Sequence, residues 1–155
     1  MQKIPLTKGK FALVDDADFE WLSQWRWCCH GAYAVRNSPR PNRHTIFMHR
    51  LINNTPDGME TDHVNGNPLD NRRENLRSCT RTENVHNTRM NHDNKSGFKG
   101  VYWNKRAKKW YAQIANNGKH HHLGTFNTAQ EAAVAYNAVA HELHGEFAKP
   151  NFGVK

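Results

Sequence analysis

The chain has 155 residues, a formal net charge of +8 at neutral pH and 37% hydrophobic residues. This hydrophobic content is too low to fill one large core, so we expect two small domains. The positive charge and eleven histidines favour a polyanionic partner. No apolar run reaches membrane-spanning length, and residues 1–5 lack a signal-peptide pattern, so we expect a cytoplasmic protein without a membrane partner.

The first 52 residues are predicted to form a small structured arm. Three tryptophans within it, Trp21, Trp25 and Trp27, are expected to build a small core rather than to stack on bases. His49 is expected to be packed or to contact phosphate, not to bind metal. The predicted elements are a strand at 10–14, a helix at 15–24, strands at 25–29 and 33–36, and an apolar element at 46–52.

The cysteines show neither a metal-binding nor a disulfide pattern. Cys28 and Cys29 are adjacent and Cys79 is isolated, so there is no Cys-x-x-Cys pair, and an odd number argues against a disulfide framework. We expect reduced, buried thiols and no structural zinc.

The segment from Asp62 to Asn87 is the most informative part of the chain. Asp62 and His63 should end one strand, residues 76–79 should form a second, and the capping box Thr80-Arg-Thr-Glu83 should open a helix. In this ββα arrangement Asn84, in the first helical turn, can face Asp62. A carboxylate, an imidazole, amides and arginines together are typical of metal-assisted phosphodiester cleavage, so the pattern predicts a nuclease.

The string that carries this prediction is Asp62-His63-x-Asn65-Gly66-Asn67-x-x-Asp70-Asn71-Arg72-x-x-Asn75-Leu76-Arg77, followed by Asn84 and Asn87. It resembles the HNH endonucleases, especially the homing endonucleases of phages and mobile introns. The resemblance implies that His63 is the general base, that Asp62 and Asn84 hold the metal, and that Asn75 fixes the His63 ring by hydrogen bonding. The third residue of the His-Asn-His motif, after which the family is named, is Asn84 here, and His86 is the alternative.

A polar run at 91–97 is the predicted linker, which divides the chain into domains at 1–94 and 95–155. The first carries 13 Lys and Arg against 11 Asp and Glu, and the second 9 against 3, so their net charges are +2 and +6.

The second domain is predicted to be a three-stranded antiparallel sheet with one helix on one face. The signals are strands at 101–103, 110–115 and 119–123, a tight hairpin at Asn116-Asn117-Gly118, and a capping box at Thr128-Ala-Gln-Glu131 before a helix that ends at Gly145. The whole chain is therefore expected to be α+β, a ββα-metal module followed by this sheet and helix.

This domain resembles the AP2 DNA-binding domain of plant transcription factors. The matching residues are 96–101, 110–114, 123–126, 132–136, Asn151 and Phe152. Because AP2 domains lay the open face of the sheet in the major groove, the resemblance implies DNA contacts, although several of these positions are arginine or tryptophan in the plant proteins. The implied contacts are Lys99, Tyr102, Asn104, Gln113, His120, His122 and Thr125. The run His120-His121-His122 is interpreted as an exposed polar strand, not as a metal site.

These patterns together predict a site-directed, metal-dependent endonuclease that cuts double-stranded DNA. The divalent metal is expected to be Mg²⁺, with Mn²⁺ as the alternative, and no small-molecule cofactor is expected. Arg72 and Arg77 are expected to hold phosphate, and the products to carry a 5′ phosphate and a 3′ hydroxyl. The protein should act as a monomer or a DNA-induced dimer, in a bacterial or phage-infected cell. The alternatives are a non-catalytic transcriptional regulator and a non-specific HNH nuclease.

Overall fold

The computed structural model describes residues 1–88, 90, 93–116 and 118–152. The chain forms two compact units, Met1–Asn84 and Val85–Lys155, which we call the first and second units. The predicted linker at 91–97 begins with two residues that lie outside the described ones, and the proposed boundary after residue 94 lies ten residues beyond this division. Within the described ranges, no helix is both long and apolar enough to cross a membrane.

The first unit contains three small antiparallel sheets, with strand orders β1–β2, β3–β4–β5 and β6–β7. Its predicted strands and helices are found with shifted ends, and β1 was not predicted. The elements are β1 (Gln2–Pro5), β2 (Phe11–Val14), α1 (Asp16–Leu22), β3 (Cys28–His30), β4 (Tyr33–Asn37), β5 (Thr45–Phe47), α2 (Met48–Asn53), β6 (Glu60–His63), β7 (Leu76–Cys79) and α3 (Arg81–His86), the last of which ends in the second unit.

The apolar element predicted at 46–52 is a strand that passes directly into a helix. Residues 45–47 pair with β4, and Met48 begins α2. Met48 and Ile52 lie about one helical turn apart and are both buried. From Met48 onwards the buried residues therefore recur at the spacing of a helix and no longer at that of a strand. Asn54 ends the helix in the left-handed region, at φ 47°.

The tryptophans do form part of the first core. Trp27 is 3% exposed and donates its indole N–H to the carbonyl of Leu22 at 2.9 Å, whereas Trp21 packs against the cluster and Trp25 stays 38% exposed. The expectation of three buried thiols is wrong for Cys28, which is exposed. Cys28 and Cys29 are neighbours on β3, and alternate residues of a strand point to opposite faces, so only Cys29 is buried there.

The second unit confirms the predicted sheet and helix. Its elements are β8 (Val101–Asn104), β9 (Lys109–Asn116), β10 (Lys119–Phe126) and α4 (Ala129–His144), with strand order β10–β9–β8. The predicted capping box at Thr128 and Glu131 is present, and Gly145 follows the helix at φ 53°. The β9–β10 hairpin has a two-residue loop in which Gly118 has φ 74°, while Asn117 lies outside the described residues.

The core of this unit lies between the sheet and α4. Ala112 and Ile114 on β9 are buried against Ala133 and Tyr136 of the helix. Gly100 allows close packing before β8, because a Cβ atom there would lie 2.2 Å from the Tyr136 ring. The other face of the sheet is not covered by this helix. We call it the open face, and its residues are Tyr102, Tyr111, Gln113, His120, His122 and Thr125.

Candidate active site

The hairpin β6–β7 and helix α3 form the predicted ββα arrangement. Asp62 pairs with Arg77 across the hairpin, and His63 pairs with Leu76. The Thr80 backbone N–H donates to the Glu83 carboxylate at 2.7 Å, and the Glu83 N–H donates to the Thr80 hydroxyl at 3.3 Å. This capping box satisfies backbone donors at the start of α3, which explains why the helix begins there.

His63 lies at the end of β6, where the chain enters the loop 64–75. The side chain is 6% exposed, and its ring centroid lies 5.1 Å from that of His49 and 6.2 Å from that of Tyr33. Burial lowers the pKa of His63, and the Asn71 side chain and nearby aspartates oppose this effect. A lowered pKa keeps the imidazole neutral near pH 7, which is the form that can accept a proton.

His49 is the packed residue that the sequence suggested. It is 7% exposed, and its Nδ1 has no hydrogen-bond partner among the described residues. Burial, followed by the charges of His63 and Arg50, lowers the pKa of His49 to about 3. His49 therefore stays neutral beside His63 and packs against its ring edge-on.

Asp62 is held by Arg77. The Asp62 Oδ2 accepts bonds from Arg77 Nε at 2.9 Å and from Nη2 at 2.7 Å, and the carboxylate is almost fully buried. We expected Arg77 to hold phosphate, but in the structure its guanidinium is engaged with the aspartate opposite it on the hairpin. The pairing fixes the orientation of the Asp62 carboxylate.

Asn84 contacts a residue that the sequence reasoning missed. The Asn84 side-chain Nδ2 donates to Glu60 Oε2 at 2.7 Å. Glu60 lies two residues before Asp62 on β6, so both carboxylates are on one face of the strand, and this alternation was the signal that could have identified Glu60.

This donor set fits a hard divalent cation. Glu60, Asp62 and Asn84 offer carboxylate and amide oxygens, which are the ligands that Mg²⁺ prefers. Within the part of the chain that the structure describes, no three His, Cys, Asp or Glu side chains form a ready metal cluster. An amide from Asn84 would therefore have to complete the set.

The loop 64–75 is held together by its own polar side chains. Asn75 Oδ1 accepts from the Asn65 backbone N–H at 2.9 Å, and Asn75 Nδ2 donates to the Asp70 carbonyl at 2.7 Å. Asn75 therefore helps to close the loop, and its predicted bond to the His63 ring stays a prediction.

Arg72, for which a phosphate contact stays a prediction, has carboxylate partners within the loop. Its Nε and Nη2 donate to the Asp70 carboxylate at 2.8 and 2.7 Å, and its Nη1 donates to Glu74. The hydrogen bond from Arg72 is the main reason that the pKa of Asp70 is lowered. Arg72 thus stabilises the loop in the structure.

Asn71 is a further polar residue of this loop, and no role was predicted for it. Its side chain is completely buried, at 0% exposure. Its backbone N–H donates to the carbonyl of Leu13 on β2 at 2.8 Å, and the Leu13 N–H donates to the Leu69 carbonyl at 2.8 Å. Strand β2 therefore fixes the backbone of the loop where Asn71 lies.

The open face of the second unit carries most of the expected DNA contacts. Tyr102 stacks on Tyr111 with ring centroids 5.4 Å apart, and His122 lies 5.9 Å from Tyr111. Gln113 pairs with His122 in the strand register, and His120 and Thr125 are exposed on β10. The structure brings these six side chains together as one polar and aromatic surface.

Two expected DNA contacts have partners inside the second unit. Asn104 Oδ1 accepts from the Arg106 and Ala107 backbone N–H groups at 3.0 and 3.1 Å and so closes the β8–β9 turn. Lys99 Nζ donates to the carbonyls of His86 and Thr88 at 2.6 and 3.1 Å. Burial, followed by the charge of Lys149, lowers the pKa of Lys99 to about 8.

Comparison with known proteins agrees with these two sites. An HNH endonuclease profile matches residues 54–86, and an AP2 domain profile matches residues 96–146. An uncharacterised HNH endonuclease of Acanthamoeba polyphaga mimivirus is 31% identical over 93% of this chain and 76% of its own length. The chain belongs to the HNH endonuclease family. Protein 3.8 of Escherichia phage T7 is 33% identical over 70% of this chain and 89% of its own length.

The AP2 match extends to plant proteins. An ethylene-responsive transcription factor of Arabidopsis thaliana is 51% identical over 36% of this HNH endonuclease and 22% of its own length. The protein is therefore a DNA nuclease with a DNA-binding domain. The HNH match contains Glu60, Asp62, His63, Asn71 and Asn84, whereas His49, Tyr33 and the β1–β2 hairpin precede it.

The alternative third-letter residue, His86, is engaged elsewhere in this HNH endonuclease. Its ring stacks on His144 at the end of α4, with centroids 3.5 Å apart and an interplanar angle of 9°. His86 and His144 both belong to the second unit, whereas Asn84 donates to Glu60 in the first. This arrangement favours Asn84 as the residue that serves the active site.

Proposed function

We propose that this HNH endonuclease is a site-directed, metal-dependent enzyme that hydrolyses phosphodiester bonds in duplex DNA, and that it serves a homing or mobile-element system. The observation that carries this proposal is the arrangement around His63. A buried imidazole with a lowered pKa stands next in sequence to a carboxylate, on the strand that also carries Glu60 and the contact to Asn84.

His63 is the proposed general base. Its neutral ring removes a proton from the water that attacks the scissile phosphorus, and the rings of His49 and Tyr33 pack beside it. The oxygen of the water becomes bonded to phosphorus, the bond to the 3′ oxygen breaks, and that oxygen takes a proton from solvent, so the products carry a 5′ phosphate and a 3′ hydroxyl.

Asp62 and Asn84 are the proposed ligands of the divalent metal, with Glu60 beside them. When bound, Mg²⁺ or Mn²⁺ supplies positive charge that stabilises the transition state and the leaving oxygen. Arg77 orients the Asp62 carboxylate through the two bonds to Oδ2, and Glu60 accepts from the Asn84 amide nitrogen, so that the amide oxygen is the atom of Asn84 that would bind the metal.

The second unit is proposed to place the enzyme on duplex DNA. The open face offers aromatic rings, an amide and histidines, and β-sheets can lie in the major groove with such a face against the bases. Residues 95–155 carry a net charge of +6, which favours phosphate contacts. We propose residues 1–94 and 95–155 as the functional modules. Since the first module holds one active site, a monomer nicks one strand, and a double-strand break requires a DNA-induced dimer or two binding events.

Nicking of supercoiled plasmid tests the proposed function directly. The full-length protein with Mg²⁺ should convert supercoiled plasmid to nicked circles, and excess chelator should stop the reaction. Mn²⁺ should replace Mg²⁺, and the His63→Ala protein is the matched inactive control. A full-length protein that binds plasmid but leaves it supercoiled with either metal would instead indicate a DNA-binding regulator.

A further inference from the structure

The charged residues of the first unit are unevenly distributed. Residues 21–56 contain no Asp or Glu and five arginines, so their net charge is +5. The rest of the unit has seven Lys and Arg against ten Asp and Glu, a net charge of −3. The positive charge of the unit is therefore concentrated on the segment that includes the sheet β3–β4–β5, and such a patch favours a polyanionic partner.

One face of this sheet is turned away from the core. Cys29 and Ala34 belong to the core of the first unit, so the alternate residues of β3 and β4, with their partners on β5, lie on the opposite face. Five of these seven residues are exposed. We call this surface the arm face, and its residues are Cys28, His30, Tyr33, Val35, Asn37, Thr45 and Phe47.

One end of the arm face lies beside the proposed general base. Tyr33 begins β4, and its ring centroid is 6.2 Å from that of His63 and 5.1 Å from that of His49. The Tyr33 side chain is nevertheless 39% exposed. Tyrosine side chains are among those that contact the sugar–phosphate backbone of DNA. A strand that contacts Tyr33 therefore also lies close to His63.

The other end of the arm face carries arginines without carboxylate partners. The β4–β5 loop, residues 38–44, is closed by Ser38, whose hydroxyl accepts from the His44 backbone N–H at 2.9 Å. Arg40 and Arg43 of this loop are exposed, and neither forms an ion pair with another described residue. The arginines of the HNH motif, in contrast, are paired with aspartates. The loop arginines are thus available to phosphate.

The length of β4 corresponds to a short stretch of one DNA strand. From Tyr33 to Asn37 the strand rises about 13 Å, at roughly 3.3 Å per residue. Successive phosphates of one strand advance about 3.4 Å along the DNA axis, so this distance covers about four nucleotides. DNA that passes Tyr33 along the arm face would therefore bring phosphates about four nucleotides away to the loop 38–44.

We propose that the arm face, together with Arg40 and Arg43, is a second DNA-binding surface, on which duplex DNA lies where the strand to be cut enters the active site. Tyr33 contacts the backbone next to the scissile phosphate, and the two arginines neutralise phosphates further along. These contacts are additional to those of the second unit, and their residues precede the HNH profile match. The proposal rests on the proposed function, which supplies duplex DNA as the substrate.

Cys28 is a natural reporter of this surface. Its thiol is exposed on the arm face, whereas Cys29 and Cys79 are buried. The full-length protein is treated with N-ethylmaleimide, with and without a saturating mixed-sequence DNA duplex, in chelator so that no cleavage occurs. Mass spectrometry of the cysteine peptides gives the alkylation rates. We expect DNA to slow the alkylation of Cys28 several-fold.

The matched control for this protection moves the reporter to another exposed site of the first unit. A Cys28→Ser protein that also carries Lys10→Cys presents its thiol on the β1–β2 hairpin, outside the arm face. Its alkylation should change little on addition of DNA.

The salt dependence of binding tests the two arginines. Arg40→Gln and Arg43→Gln are combined in one protein, and the control combines Lys3→Gln and Lys10→Gln, which removes the same charge from exposed positions of the β1–β2 hairpin. Fluorescence anisotropy with a labelled duplex, again in chelator, gives Kd at several salt concentrations. Each lost phosphate contact should reduce the slope of log affinity against log salt by about 1, so the arginine pair should reduce it by about 2 and the lysine pair by much less.

Unchanged alkylation of Cys28 at saturating DNA would overturn the proposal, and so would equal protection of the thiol at position 10, which would indicate general occlusion. A salt slope that is the same for the arginine and lysine pairs would also overturn it. The alkylation of Cys28 uses the unmodified protein, so it decides even if a variant fails to fold. Failure of the proposed nuclease function has a different signature, which is plasmid that stays supercoiled with either metal.

Discussion

In the first unit buried aspartates are paired with arginines, whereas in the second unit polar side chains are spread over an exposed sheet face. Arg72, Arg73 and Arg77 each donate to an aspartate that is at most 4% exposed. On the open face, Tyr102 is 44% exposed, and both His120 and His122 are exposed. The difference teaches where each task is placed. Under the proposed function, catalysis uses groups held by internal bonds, and recognition uses groups left accessible to DNA.

Replacement of the proposed general base should separate catalysis from DNA binding most clearly. His63→Ala should reduce the rate of cleavage by roughly 10² to 10⁴, because no other group replaces a positioned base. The affinity for DNA should stay within a few-fold of the wild type. Plasmid nicking and gel-shift titration on the same preparations measure both quantities, and near wild-type cleavage would remove His63 from the mechanism.

Salt should affect binding nearly as strongly and should act through the second unit. If about six phosphates are contacted, the affinity for duplex DNA should fall on the order of 10³-fold between about 50 and 200 mM salt. His63→Ala protein prevents cleavage during the measurement. The fragment 95–155 should show the same steep salt dependence, and fragment 1–94 should bind more weakly. Tighter binding by fragment 1–94 would contradict this division of labour.

Metal titration should locate the ligands within the first unit. Asp62→Ala and Asn84→Ala should each raise the Mg²⁺ concentration for half-maximal nicking, by roughly 10- to 100-fold, because each removes an oxygen from a site with few protein ligands. His86→Ala is the matched control and should change this value little, since the His86 ring stacks on His144. A larger effect at His86 would reverse the assignment of the third motif position.

Acid should destabilise the first unit through His49. Its pKa falls from 6.5 to about 3 on folding, so the unfolded chain binds a proton below pH 6.5 that the folded chain does not. Stability is therefore lost as the pH falls, by about 2 kcal/mol from this group at pH 5. Urea denaturation at pH 7 and pH 5 should show the loss. His49→Leu should reduce it, and substitution of the exposed His30 should leave it unchanged.

Alkali should weaken DNA binding by the second unit, with the smallest expected effect. The pKa of Lys99 is about 8, so its ammonium loses its charge as the pH rises through this value. The affinity for duplex DNA should fall several-fold between pH 7 and 9, since the second unit loses one positive charge. Fluorescence anisotropy of labelled duplex can follow the change. A Lys99→Met protein should lack this step, and an identical pH profile for the variant would exclude Lys99.

The sequence predicted the elements whose signals are local. The two capping boxes, at Thr80 and Thr128, and the tight turn before Lys119 each depend on neighbouring residues. The starts of α3 and α4 and the turn of the β9–β10 hairpin were all predicted at the correct positions. Strand alternation also accounts for the burial of Ala112 and Ile114 on one face of β9. Such patterns follow from backbone geometry and need no knowledge of tertiary contacts.

The partners of the polar residues could not be predicted in the same way. Arg72 and Arg77 were predicted to contact phosphate, because the sequence alone does not reveal that their side chains pair with Asp70 and Asp62. The partners of Asn75 depend on how the loop 64–75 closes. The sequence does show that Glu60 and Asp62 are two residues apart and so share one face of a strand. The contact between Glu60 and Asn84 depends on the position of α3, which the sequence does not show.

The bond between Leu13 and Asn71 limits how this enzyme can be shortened. The HNH profile match begins at residue 54, yet the catalytic loop is anchored by a strand that ends at Val14. A fragment cut at the start of the match would retain the whole motif and lose the backbone bonds that hold Leu69 and Asn71. We therefore expect such a fragment to be less stable than the whole first unit, and a motif transplanted into another scaffold to need a replacement for strand β2.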